Sequence, residues 1–332
     1  MSDGPFVSLI LLVYNHERFV AEAIQGALSQ TYSPLEIILS DDCSKDASFA
    51  IIERETANYR GKHAIRLNRN ARNLGLARHL SWLHSIVRGN LVVVASGDDV
   101  SSPDRVERLV DAWTVAGGGL ACLCSSVIGI DESSCERALE RHPEALALNA
   151  RALLRGGASV PGCSQAWARD IFTLFGPMQA GSFQEDIAIP FRAALAGKIL
   201  YVDEPLVRYR RHAGGMWSGI AHKRSIAEAR QWFRRWARNL VFLNRGFRRD
   251  VDTAHRSELL TSAEAASLSR ALAVRRAEVH TELLLLGKKP LPVKLVRLAL
   301  SVYRGTTLRK ASRWLLMIFA LPIYIRMLRR GR

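Results

Sequence analysis

The chain has 332 residues, 48% of them hydrophobic and 23% charged, a composition that can bury a core and excludes general disorder. Its formal net charge of +16 is unevenly spread: residues 221–332 carry 25 Lys+Arg against 7 Asp+Glu, and residues 1–220 carry 22 against 24. A near-neutral body is thus joined to a strongly basic tail, suited to nucleic acid, to an anionic membrane, or simply to solvated helix faces.

Residues 6–13 (FVSLILLV) form a short apolar, β-branched run of strand length, followed by the loop Tyr14-Asn15-His16. Residues 18–30 show helical spacing, with Phe19, Ala23, Ala27 and Leu28 on one side. After Pro34, residues 35–39 (LEIIL) predict a second strand ending at Ser40-Asp41-Asp42. A helix over 44–57, with Ser44 as candidate cap, a third strand over 65–67 and a helix over 76–87 come next. Residues 91–95 (LVVVA) predict a buried strand ending at Ser96-Gly97-Asp98-Asp99. This alternation implies right-handed βαβ crossovers and a mainly parallel sheet, in which ligands collect beyond the carboxyl ends of the strands. Both acidic pairs stand at such ends.

Farther on, the pattern predicts a helix over 105–116, a strand over 120–130, a less regular stretch over 131–158 and a helix over 183–196. Two short strands, 199–202 and 206–209, precede Gly214-Gly215, and from residue 222 the pattern is helical. The expected domains are 1–220, catalytic, and 221–332, helical and basic. Residues 314–325 (WLLMIFALPIYI) are nearly all apolar and flanked by arginines. The run is shorter than the roughly 20 residues a spanning helix needs. Within 309–330 it suits the membrane interface; a C-terminal helix packed on the protein is the alternative. The five cysteines show no C-x-x-C spacing, and Met1 to Pro5 are polar, unlike a secretory leader. Cys122 and Cys124, two apart on a predicted strand, are expected as buried small hydrophobes, and reduced thiols in a cytoplasmic location are expected.

Four clusters bear chemistry. Asp41-Asp42 offers acceptors for a base or ribose, or caps the next helix. Asp98-Asp99, behind the permissive Gly97, suits a hard cation such as Mg²⁺ or Mn²⁺ bridging phosphates, or makes a turn before Pro103. Glu185-Asp186 opens a helix, where the dipole favours acids and where a carboxylate is also placed to act as general base. The basic run Arg208-Tyr209-Arg210-Arg211-His212 suits a diphosphate, with His212 as metal or phosphate ligand, or is a solvated charge run.

Taken together, these segments resemble the family-two inverting glycosyltransferases of the GT-A fold. Residues 7–46 resemble that family's opening. Asn73-Leu74-Gly75 with Arg78 resembles its N-x-G…R segment, and residues 95–105 (ASGDDVSSPDR) its D-x-D segment. Residues 162–167 (GCSQAW) with Gly176-Pro177 resemble the acceptor-side strand and turn; Glu185-Asp186 and Tyr209 to His212 (YRRH) resemble the last two motifs. The resemblance covers about 7–217. It implies a Rossmann-like, mainly parallel sheet flanked by helices, followed by the helical basic region.

The resemblance also implies roles. Tyr14 and Asp41, with Asp42 and Arg78, would contact the nucleoside; Asp98 would bind the metal, with Asp99 beside it and His212 near. Asp186 would be the general base in a single inverting displacement. Glu185, Trp167 and Arg211 join the substrate-binding set by their motifs. Ser96 stands where the family has its first D-x-D acid, which bears on the coordination of Mg²⁺ or Mn²⁺. The implied partner is a nucleotide-sugar donor; the basic, apolar tail adds the expectation of a glycan or lipid-linked acceptor of cell-surface polysaccharide synthesis at the inner face of an anionic membrane. No nucleic acid is expected: that alternative rests on charge alone, without a recognisable binding module. A non-catalytic homologue that only binds nucleotide sugar is supported by Ser96 alone.

Overall fold

The apolar run that opens the chain becomes a strand buried along its length, because helices cover both faces of the sheet it joins. The protein is described by a computed structural model over residues 4–155, 160–215, 226–286 and 294–295. Its strands are β1 (Val7–Val13), β2 (Leu35–Asp41), β3 (Ala64–Arg69), β4 (Leu91–Ser96), β5 (Val100–Ser101), β6 (Ala121–Ile130), β7 (Glu136–Glu140), β8 (Ala166–Ala168) and β9 (Lys198–Arg210). Its α-helices, among the described residues, are α1 (Val20–Leu28), α2 (Ser48–Thr56), α3 (Leu76–His84), α4 (Arg105–Val115), α5 (Ala150–Arg155), α6 (Asp170–Phe175), α7 (Glu185–Ala196), α8 (Ile226–Arg256) and α9 (Ser262–Leu286).

The strands form one sheet in the order β3-β2-β1-β4-β8-β6-β9-β5, with β7 beside β6. β3, β2, β1 and β4 run parallel, as do β6 and β9; β8 runs antiparallel between the two groups. The expected α/β fold, mainly parallel and flanked by helices, is what the structure shows. Val13 pairs with Asp41 across β1–β2, and Leu12 with Ser96 across β1–β4. The first three predicted loops therefore open on one edge.

Side chains alternate across β1. Val7, Leu9, Leu11 and Val13 join Ile24, Val106 and Leu109 on one face. Ile10 belongs to the other core, with Leu80, Ile171, Phe191 and Phe247. Each such fully buried aliphatic or aromatic side chain contributes roughly 1.5–3 kcal/mol.

Three local readings change. Residues 199–202 and 206–209 are one strand, β9, whose pairing with β6 shifts register around Ser126, so an irregularity looked like a break. The irregular stretch after residue 130 contains β7 and α5, too polar or too short to show a clear period. Ser44 does not cap α2, which starts at Ser48; its hydroxyl instead accepts the Asn15 N–H at 2.8 Å. The boundary at 220/221 and the segment 309–330 lie outside the described residues. Among the described residues, no helix is long and apolar enough to cross a membrane.

α8 is held to the sheet domain by a buried ion pair. Arg192 of α7 meets Asp250 of α8 through Nε–Oδ2 at 2.9 Å and Nη2–Oδ1 at 3.2 Å, and also donates to the Gly176 and Pro177 carbonyls. Both side chains are almost fully buried. Removing one partner strands the other charge in the interior. We expect Asp250→Ala to lower unfolding free energy by about 3–5 kcal/mol in a urea titration. A loss within about 0.5 kcal/mol would show that water reaches the pair and that α8 docks by apolar contact alone.

Candidate active site

A cleft of about 2010 Å³ opens at the carboxyl edge of the sheet, bounded by the loops after β1 and β4, the start of α3, the start of α7 and one side of α8. The loops are fixed by short-range polar contacts that the sequence encodes locally. Asn15 takes a positive φ of 58° and accepts the Lys45 N–H on Oδ1 at 2.9 Å, while Ser48 Oγ accepts the His16 N–H at 2.8 Å. These bonds tie the β1 loop to the β2 loop and leave Tyr14 exposed at the cleft.

The first acidic pair divides its labour. Asp42 accepts from the Leu74 N–H at 2.8 Å, the Gly75 N–H at 2.9 Å and Asn70 Nδ2 at 2.8 Å. Both its oxygens thus brace the Asn73-Leu74-Gly75 turn, in which Gly75 has φ of 74° and delivers Arg78 to the cleft wall. Asp41 is fully buried and does not line the cleft; Oδ1 accepts the Ser44 N–H at 2.8 Å, and Oδ2 has no partner. A single register step separates the two. Along the pleat they point to opposite sides, so only Asp42 reaches the cleft.

The second pair divides as well. Asp98 lines the cleft, with Oδ2 3.1 Å from His212 Nε2 and 3.7 Å from His16 Nε2. Burial pushes its carboxyl up, but the His212 hydrogen bond and the His16 charge outweigh it and hold it below the ordinary value. Asp99 is pushed well above the ordinary value by burial and by the charge of Asp98, and its Oδ1 accepts the Arg210 N–H at 2.8 Å. It therefore anchors β9 beside the cleft. Gly97 is required here: a Cβ would lie 2.8 Å from His16 Nδ1.

Asp98 and His212 supply one carboxylate oxygen and one imidazole nitrogen. Among the described residues no cluster of three or more His, Cys, Asp and Glu side chains converges on a metal position. Two protein ligands fit a divalent ion whose remaining ligands are phosphate oxygens and water. Asp99 also lines the cleft, with one oxygen, Oδ1, taken by the Arg210 N–H.

Glu185 and Asp186 occupy the first turn of α7 and line the cleft. Burial lifts Glu185 to about 7; burial and the Glu185 charge lift Asp186 well above the ordinary value. The helix dipole opposes both shifts, and burial wins. Asp186 Oδ1 is buried without a hydrogen-bond partner. A Cβ on Gly162 would lie 2.5 Å from Glu185 Oε1, so a side chain there would crowd this turn.

Two expected site residues are placed elsewhere. Trp167 is 1% exposed and packs in the core against Phe172, centroids 6.0 Å apart. Its position on β8, between β4 and β6, buries the indole under helices. Arg211 does not line the cleft and pairs with Glu140 at 2.8 and 2.9 Å. The sequence reading passed over its neighbour. Buried Arg210 donates to the Asp98 carbonyl at 2.9 Å and to Glu22 Oε2 at 3.0 Å, with its guanidinium 4.7 Å from the Phe19 centroid. Strand alternation was the available signal: Arg210 and Arg211 must face opposite ways. His16, in the first loop, and the α8 wall were also missed.

Residues 8–173, half of the chain, match the family model described as "Glycosyl transferase family 2". The chain is 40% identical over 110 residues to the "Putative glycosyltransferase EpsE" of Bacillus subtilis, covering 33% of this chain and 39% of that one. It is 29% identical over 133 residues to the "Succinoglycan biosynthesis protein ExoO" of Rhizobium meliloti, covering 39% of this chain and 36% of that one. The fold is similar to that of the mannosyltransferase PcManGT from Pyrobaculum calidifontis, solved in complex with GDP-Man and Mn²⁺, with a TM-score of 0.53 at 16% identity over 99% of this chain and 88% of that one. Sheet order, cleft and family match agree, and the chain belongs to glycosyl transferase family 2, with the GT-A fold.

Proposed function

We propose that this glycosyltransferase moves a sugar from a nucleoside-diphosphate donor to an acceptor hydroxyl, in one displacement that inverts the anomeric carbon. The observation that carries the reading is Asp186: a buried carboxylate that keeps an unpartnered oxygen and lines the same cleft as Asp98. Asp186 takes the proton from the acceptor hydroxyl. The freed oxygen pair attacks the anomeric carbon from the face opposite the diphosphate, and the carbon–oxygen bond to phosphate breaks with its electron pair leaving on the diphosphate. Glu185, crowded against Asp186, raises its proton affinity.

Asp98 and His212 would hold the divalent cation, with Mg²⁺ or Mn²⁺ neutralising the departing diphosphate when bound. PcManGT, which shares the fold, was solved with Mn²⁺ and a nucleotide sugar. His16 keeps Asp98 ionised, and Tyr14 and Arg78 frame the nucleoside side. Asp42 acts on that side through the turn it braces. Asp41 is a support for the β2 loop.

The name of ExoO, a succinoglycan biosynthesis protein, supports a role in polysaccharide assembly, and the basic tail supports a lipid-linked acceptor at the inner face of an anionic membrane. The catalytic domain would end near residue 220, with 221–332 serving membrane and acceptor. Liposome flotation should show the full chain rising with anionic vesicles and a chain lacking 309–332 staying behind. Equal flotation of both would remove the membrane role from that segment.

Asp186→Asn should lower kcat by about 10²-fold or more. Calorimetric binding of UDP-GlcNAc or GDP-mannose with Mn²⁺ should persist in Asp186→Asn and lose its Mn²⁺ dependence in Asp98→Ala. Transfer at undiminished rate by Asp186→Asn would end the assignment of the base.

The acidic limb of kcat/KM gives the sign of the carboxylate shifts. A base with a raised pKa is protonated, and idle, at low pH, so activity should climb well above the ordinary carboxylate range, where burial and the Glu185 charge place Asp186, and then level off. Glu185→Gln removes the neighbouring charge and should move the limb to lower pH. A limb at ordinary carboxylate pH in the native enzyme would contradict the buried pair.

A further inference from the structure

The donor chemistry leaves the α8 side of the cleft unused. On that side Trp232 and Trp236, one helical turn apart, stack with centroids 5.5 Å apart and an interplanar angle of 12°. Phe183 packs on Trp236 at 5.8 Å, and the Arg235 guanidinium lies 5.5 Å from the Phe183 centroid. One turn on, Asn239 Oδ1 accepts the Phe183 N–H at 2.8 Å and Nδ2 donates to Gln184 Oε1 at 2.6 Å. Asn239 therefore clips this wall to the residue just before Glu185 and Asp186.

The wall is also cationic. Arg235 and Arg238 are exposed, line the cleft, and have no acidic partner among the described residues. Positions 235 and 238 are three apart on one helix, a spacing at which like charges repel. Guanidinium groups beside aromatic faces keep their N–H edges free for a carboxylate or phosphate, and stacked indoles cover the apolar face of a sugar ring. An anion held between the two arginines would relieve the repulsion.

We propose that this wall is the acceptor subsite, and that the acceptor carries a phosphate or carboxylate beside the sugar whose hydroxyl is glycosylated. The assignment rests on Asp186 as the base, since that residue makes this side of the cleft the acceptor side. The wall then selects charged saccharides over neutral ones, and Arg235 and Arg238 set that selection.

Binding titrations on the full chain, read by tryptophan fluorescence with UDP and Mn²⁺ present, test it with three probes. These are N-acetylglucosaminyl diphosphate bearing a short alkyl chain, a glucuronate-terminated trisaccharide, and the neutral octyl N-acetylglucosaminide. At least one charged probe should bind about tenfold or more tightly than the neutral one. That preference should fall with added salt and vanish in Arg235→Ala/Arg238→Ala and in the charge-reversed Arg235→Glu/Arg238→Glu. Tight binding of the diphosphate probe alone identifies phosphate as the recognised group; of the glucuronate probe alone, carboxylate. No preference in the native protein, or a preference that survives in both variants, overturns the proposal. Failure of UDP to bind, read separately by calorimetry, would instead count against the donor reading.

Discussion

β1 is hydrogen-bonded on both sides by parallel neighbours, and the rest of the site depends on that pairing. Because β2, β1 and β4 run the same way and end in register at Asp41, Val13 and Ser96, their three loops must leave the sheet along one edge. An antiparallel neighbour would have sent one loop to the far side. Parallel pairing requires crossovers, the crossovers bury both faces, and burial on both faces explains why β1, β2 and β4 read as mostly apolar runs rather than alternating ones.

Within that edge, identical side chains do different work because their surroundings differ. Asp98 and Asp99 are adjacent, yet two imidazoles hold the first ionised while the second sits against the β9 backbone with its proton affinity raised. Asp42 spends both oxygens on backbone amides, whereas Asp186 keeps one oxygen without a partner. An unpartnered buried oxygen destabilises the fold and is tolerated where chemistry uses it. Asp41 also keeps an unpartnered oxygen but does not line the cleft, so access to the cleft and free oxygens together separate the reacting carboxylate from the supporting ones.

α8 adds a second level of organisation. Its later turns are fastened by Arg192–Asp250 and by Phe191 against Phe247, whose centroids are 4.2 Å apart. Its earlier turns carry Asn239, Trp236 and Trp232 along one stripe to the start of α7. Part of the strongly basic region is therefore built into the cleft that holds the candidate base.

Much of this was legible from residue order. Apolar runs of strand length alternating with helical spacing determined the mainly parallel α/β sheet, and the carboxyl-edge rule marked the loops at Tyr14, Asp41-Asp42 and Asp98-Asp99. Six ordered motifs pointed to the family, and the family match bears that out. Local pattern alone was silent on which member of the first pair faces the cleft. Asp42 rather than Asp41, and Arg210 rather than Arg211 as the buried strut, were decided by strand pleat and register. Trp167 went to the core because β8 is inserted between β4 and β6, a pairing between segments distant in the chain. The same holds for the α8 wall. Helical periodicity establishes that α8 exists; only tertiary packing, through Asn239 and Asp250, decides which of its faces meets Asp186, because periodicity carries no information about partners.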